Sequence, residues 1–149
     1  MTRIQRSAIV MHSSQCMYDL VNDVRCYPEF LNGCVAAEIV EHSDVHMLAK
    51  MHLKKAGIQI TLVTRNTLSS PSRIVVFLED GPFSSLCGEW VFTNLTDSAC
   101  KVSLDLRFEF KNSALRMAAS TLFSGVANDL VDAVCQRADS VYGGAIGDS

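Results

Sequence analysis

The chain has 149 residues, 48% of them hydrophobic, and its 13 basic and 16 acidic side chains leave a net charge of −3. That length carries one domain with its own core, the hydrophobic share excludes a disordered chain, and so mild a charge gives no general attraction to nucleic acid or an anionic membrane. Six scattered cysteines (Cys16, Cys26, Cys34, Cys87, Cys100, Cys135) form no C-x-x-C pair, and the first residues, Met1 to Arg6, lack the apolar segment of a signal peptide and an Arg- and Ser-rich transit leader. These features predict free thiols in a reducing cytoplasm. No apolar run approaches the ~18 residues of a membrane span, so no transmembrane segment is expected.

Taken in chain order, Ile4 to His12 reads as a first strand, and Ser13 or Ser14 then offers a helix N-cap. Met17, Leu20, Val21 and Val24 make a short amphipathic helix. Pro28 sits in a second short helical stretch, Val24 to Leu31, which starts anew near Tyr27-Pro28, and Asn32-Gly33 is a turn. Strands follow at 34–41, 47–54, 58–68, 73–79 and 86–95, each bounded by turn residues such as Ser43-Asp44, Ala56-Gly57 and Asp80-Gly81-Pro82.

The clearest signal comes last. Between Cys100 and Phe110, Val102, Leu104, Leu106, Phe108 and Phe110 alternate strictly with polar residues, the mark of a strand with one buried face. From about Ser113 to Tyr142, Leu115, Ala118, Ala119, Leu122, Val126, Leu130, Val134, Ala138 and Val141 form one apolar helical stripe, with Gly143-Gly144 as its cap. The expected fold is α+β: a curved seven-stranded antiparallel sheet around a long C-terminal helix, with two short helices between strands 1 and 2. It forms one domain, 1–144, and a flexible tail, 145–149.

Four segments carry a family resemblance. They are Met17 to Val24 running into Tyr27-Pro28-Glu29-Phe30-Leu31 and Gly33-Cys34; Lys55-Ala56-Gly57-Ile58; Thr64-Arg65-Asn66; and Asp80-Gly81-Pro82-Phe83 followed by Trp90. On these the chain resembles the START-like (polyketide cyclase) helix-grip superfamily. More narrowly it is similar to the coenzyme Q-binding START-domain family, with its bacterial ribosome-association toxin branch. Asn32 departs from the proline that relatives often carry there, and still suits a turn. The resemblance implies the helix-grip fold and two activities. Mitochondrial members are associated with ubiquinone binding and respiration. The toxin branch binds the large ribosomal subunit and blocks subunit joining, which also implies an antitoxin partner. The expected location is the cytoplasm, with a peripheral position at the inner membrane for a quinone-binding member.

Strand parity turns a nearly all-apolar set of side chains inward, and slim residues on the helix (Ala118, Ala119, Gly125) leave room beneath it. The first reading is therefore non-enzymatic binding of a hydrophobic ligand, ubiquinone or a related isoprenoid, with no cofactor required. The residues expected to line its cavity and mouth are Tyr27, Pro28, Phe30, Leu31, Leu62, Pro82, Phe83, Trp90, Phe92, Leu104, Leu106, Phe108, Leu122, Val126 and Leu130. Phe30 and Phe83 are the expected lid. The plainer alternative is a filled core. A second reading places a ribosome contact on the outward face, where Lys50, His52, Lys54 and Arg65, with Lys55 at the turn, form a basic stripe. A third, an oligoketide cyclase or dehydratase, needs acid–base groups inside the cavity. Parity puts few there: Thr64 and Asn66 are inward but poor bases, and Glu29, Asp80 and Asp23 lie in loops near the mouth, where solvated carboxylates are ordinary, so no catalytic residue is assigned. A metal site of His42, His46 and His52 across a hairpin is outweighed by the reading of surface histidines.

Overall fold

The computed structural model describes residues 1–143. Its elements are β1 (Thr2–Val10), α1 (Ser14–Asn22), a 3-10 turn (Val24–Cys26), α2 (Tyr27–Phe30), β2 (Cys34–His42), β3 (His46–Lys55), β4 (Ile58–Ser69), β5 (Arg73–Asp80), β6 (Phe83–Thr96), β7 (Ala99–Phe110) and α3 (Ser113–Val141). The strands form one antiparallel sheet in the order β1-β7-β6-β5-β4-β3-β2, so the meander from β2 to β7 ends with β1 added beside β7. The α+β helix-grip architecture expected from the sequence is present.

Local chemistry explains the boundaries. The Ser13 hydroxyl accepts the Cys16 N–H at 3.1 Å and starts α1. Asn112 does the same for Leu115 at 2.8 Å and starts α3. At the far end of α3 the Tyr142 N–H donates to the Ala138 carbonyl, and Gly143, at φ 71°, takes the left-handed turn that ends the helix. Gly144 and the tail expected at 145–149 lie outside the described residues.

Register shifts between Cys34 and Ala36, Ile39 and Glu41, and Val63 and Thr64 mark bulges, which bend strands and raise their twist. They curl the sheet around α3. In β7 the alternation is complete: Val102, Leu104, Leu106, Phe108 and Phe110 are all buried.

The stretch Val24 to Leu31 is helical and starts anew at Tyr27 as expected, a 3-10 turn followed by a single turn of α-helix, where Pro28 in the first turn lacks only an N–H that has no intrahelical partner. Two expectations are corrected. Strand β6 begins at Phe83, not Leu86, because Phe83 pairs with Phe110 directly after the Gly81-Pro82 turn. Along α3 the buried face is Ala119, Leu122, Phe123, Val126, Ala127, Val131, Val134 and Ala138, whereas Ala118 and Val141 are exposed. Two apolar residues at adjacent positions sit about 100° apart on a helix, and alanine says little about which of them faces the core.

Candidate functional site: an apolar cavity under the long helix

Sheet and helix do not close completely. They enclose a cavity of about 110 Å³. Its sheet wall is Ala49, Met51 and Leu53 from β3, Leu62, Thr64 and Asn66 from β4, Ile74 and Val76 from β5, Leu86 and Trp90 from β6, and Leu104 and Leu106 from β7. Phe123, Val126, Ala127 and Leu130 of α3 form the roof. Val21, Asn22, Val24, Tyr27 and Leu31, from α1 to the end of α2, close one end. Parity explains the sheet wall, because each strand places every second residue on this face.

The turn after α2 brings the chain under α3 through Gly33. Its φ is 96°, and a Cβ there would stand 2.8 Å from Val126 Cγ2, so the position excludes a side chain on both counts.

Four polar side chains reach this wall: Asn22, Tyr27, Thr64 and Asn66. The Tyr27 hydroxyl donates to the Val21 carbonyl, and burial pushes the phenol pKa far up, so it stays neutral. Thr64 and Asn66 are 8% and 7% exposed, and the Asn66 Oδ1 meets no hydrogen-bond donor. Among the described residues no carboxylate, imidazole, ammonium or guanidinium lines the cavity.

A larger groove of about 370 Å³ lies on the other side of Val126. Asn32, Lys55, Ala56 and Ile58 form one bank, and Ala118, Thr121, Leu122, Gly125 and Asp129 the other. Val126 belongs to both spaces. Ala118 and Gly125, expected to thin the helix over the cavity, thin it over this groove instead.

The residues expected at the cavity divide as follows. Tyr27, Leu31, Leu62, Trp90, Leu104, Leu106, Val126 and Leu130 line it, while Leu122 faces the groove. Phe83 and Phe108 lie off the wall in an aromatic cluster with Phe110 and Phe123, where Phe83 is 4.8 Å and Phe108 4.7 Å from the Phe123 ring. Phe83 is 1% exposed and serves the core, which corrects its placement as a lid. Phe92 stacks behind Trp90 at 6.1 Å. Pro82 stays in its turn, its carbonyl accepting the Lys111 N–H at 3.0 Å. Pro28 and Phe30 also lie off the wall. The Phe30 ring is 5.6 Å from Tyr27 and 5.4 Å from the Arg137 guanidinium, which also holds Glu29 at 2.8 Å, so this segment is tied to α3. Phe123 and Ala127 were not expected in the roof, although the successive steps of four from Ala119 to Phe123 to Ala127 were the available signal.

On the outer face, Arg65 pairs with Glu79 at 3.2 Å, Arg3 with Asp105 at 2.8 Å, and Arg73 with Glu89. The expected stripe therefore loses Arg65 to an ion pair. Lys50, Lys54 and Lys55 have no carboxylate within salt-bridge distance among the described residues, although Lys50 stands opposite Glu38 in the sheet register. His52 contacts the Thr61 hydroxyl at 3.2 Å, and among the described residues no three His, Cys, Asp or Glu side chains are placed to hold a metal ion.

A curved sheet gripping one long helix over an apolar hollow defines a START-like, hydrophobic-ligand-binding fold. The chain belongs to the polyketide cyclase / dehydrase and lipid transport family, which matches residues 10–135. Among its relatives, the ribosome association toxin RatA of Vibrio cholerae is 43% identical over 143 residues, covering 96% of this chain and 99% of that protein. The mitochondrial coenzyme Q-binding protein COQ10 of Drosophila melanogaster is 29% identical over 147 residues, covering 92% of this chain and 55% of that protein. Both sides of the expected resemblance are thus present. Of solved structures, the Zhui aromatase/cyclase from Streptomyces matches with a TM-score of 0.82 at 18% identity, over 96% of this chain and 98% of that one. A START superfamily protein from Mycobacterium smegmatis matches with a TM-score of 0.77 at 15% identity, over 93% and 98%. At such identities these structures show the fold alone. Among the described residues no helix is long and apolar enough to cross a membrane.

Proposed function

We propose that this chain acts at the ribosome, as a cytoplasmic translation inhibitor that binds the large subunit and blocks subunit joining, held in check by an antitoxin. The observation that carries this reading is the likeness, over nearly the whole of both chains, to a protein named for ribosome association and toxicity. Lys50, Lys54 and Lys55, in no ion pair among the described residues, supply cations that phosphates would attract. Sucrose-gradient sedimentation after overproduction tests it. The protein should travel with large subunits while joined ribosomes fall. Unchanged joined ribosomes, with the protein left at the top of the gradient, overturn it.

A second reading, compatible with the first, is favoured by the cavity. The inside holds a hydrophobic ligand, ubiquinone or a related isoprenoid, without catalysis or a required cofactor, at the periphery of the inner membrane and in support of respiration. A space of about 110 Å³ is close to the ~150 Å³ cavity known to take a benzene ring and well below the ~300 Å³ at which drug-sized sites begin. One small ring is the most that it admits. On this reading the substituents and the prenyl tail lie outside it, in the groove across Val126, where Ala118 and Gly125 make space. Mass spectrometry of lipid extracted from protein purified from its host should find a quinone. Absence of any lipid, with no rise in melting temperature on adding ubiquinone, overturns this second reading.

A further inference from the structure

We infer that Asn66, with Thr64 beside it, is a hydrogen-bonding seat for a hydroxyl group, so that the cavity selects neutral hydroxylated rings and rejects carboxylates. This rests on the reading that the cavity holds a ligand. Three observations converge on it. First, Thr64 and Asn66 replace apolar residues in the inward series of β4, between Leu62 and Leu68, although apolar side chains there would fill the hollow without cost. Second, Asn66 lines the cavity and its buried Oδ1 meets no donor. A buried acceptor left empty is a standing loss of stability, removed when a bound group donates to it. Third, no cationic side chain lines the cavity among the described residues, so a carboxylate entering it would lose its water with nothing to replace it. A phenol, alcohol or quinol donates its O–H to Oδ1 and carries no charge, whereas an oxidised quinone ring offers only acceptors, so of a quinone and its quinol the seat takes the quinol. The volume limits the buried part to about one ring.

Trp90 is the chain's single tryptophan and stands in the cavity wall, so its fluorescence reports occupancy. Three probes of like size separate the chemistry: para-propylphenol, propylbenzene and para-propylbenzoate. At neutral pH the phenol should bind about fivefold to tenfold more tightly than propylbenzene, the ratio one neutral hydrogen bond supplies, and the benzoate should leave Trp90 unchanged. Asn66→Leu should bring the phenol-to-propylbenzene ratio to about one. Asn66→Ala serves the same purpose should the leucine variant not fold. Equal binding of phenol and propylbenzene to the parent protein, an unchanged ratio in both variants, or benzoate binding as tight as phenol overturns the seat while leaving the ligand reading standing. Silence from all three probes overturns both.

Discussion

Filling the cavity from its roof separates inside from outside. Ala127 is 4% exposed on α3 and lines the hollow. Ala127→Leu adds three carbons to a space of about 110 Å³. At about 0.8 kcal/mol per buried methylene the gain is ~2.4 kcal/mol. Fixing the leucine rotamer removes roughly 0.5–1 kcal/mol, and leucine is almost as good a helix former as alanine. The net expectation is about 1.4–1.9 kcal/mol of added stability, or roughly 3–8 °C in Tm for a chain of this size. Thermal unfolding followed by far-ultraviolet circular dichroism measures the first effect, and loss of the Trp90 response to propylphenol measures the second. Sedimentation with large subunits should be unaffected, since no outward side chain changes. A Tm lowered by several degrees would mean overpacking, hence no usable space under α3. A raised Tm with undiminished probe binding would place the ligand elsewhere.

The double substitution Lys50→Glu and Lys54→Glu should weaken sedimentation with large subunits several-fold without changing the Trp90 response. Lys50→Glu also sets two carboxylates opposite each other with Glu38, so a stability loss of about 0.2–1 kcal/mol is expected in urea unfolding. Full retention of ribosome binding would remove these lysines from the interface. Phe123→Ala removes a ring that is in contact with Phe83 and Phe108 and should cost about 3–5 kcal/mol in urea unfolding, whereas a cost under 1 kcal/mol would contradict the aromatic cluster as a centre of the core. Among the free thiols, Cys87 is exposed, while burial first, with Asp132 and Asp139 adding to it, pushes the Cys135 pKa up to about 11. Iodoacetamide at pH 7.5 should label Cys87 well before Cys135, as read by peptide mass spectrometry. The Cys135 thiol is neutral in both folded and unfolded chains below about pH 9. Between about 9 and 11 the unfolded chain ionises first, so stability should fall as pH rises through that window. Labelling of Cys135 as fast as Cys87 at neutral pH would contradict its burial.

Much of the fold was legible because its signals are periodic. The alternation from Val102 to Phe110 set the face of β7, and the turn residues between strands set the meander. The inward parity of Leu62, Thr64 and Asn66 was visible too, but not the consequence at Asn66, because whether an amide finds a partner depends on neighbours across the sheet. Phe83 was read as part of a turn because Gly81-Pro82 dominates the local signal, yet pairing with Phe110, 27 positions later, draws it into β6. On α3, Ala118 and Ala127 are the same residue in sequence and opposite in role, one on the outer groove and one in the cavity roof. Cavity volume was beyond the sequence altogether, since it follows from bulges that curl the sheet and from how closely Gly33 lets its turn approach Val126. On the outer face, the pairing of Arg65 with Glu79 rests on cross-strand neighbours that single-strand parity does not reveal.

Association with the ribosome is tested most directly by sedimenting lysate of cells overproducing the chain through a sucrose gradient and blotting each fraction. The protein should appear in the large-subunit fractions, with free subunits accumulating as joined ribosomes decline. Protein confined to the top fractions, beside an unchanged ribosome profile, would rule out a role at the ribosome.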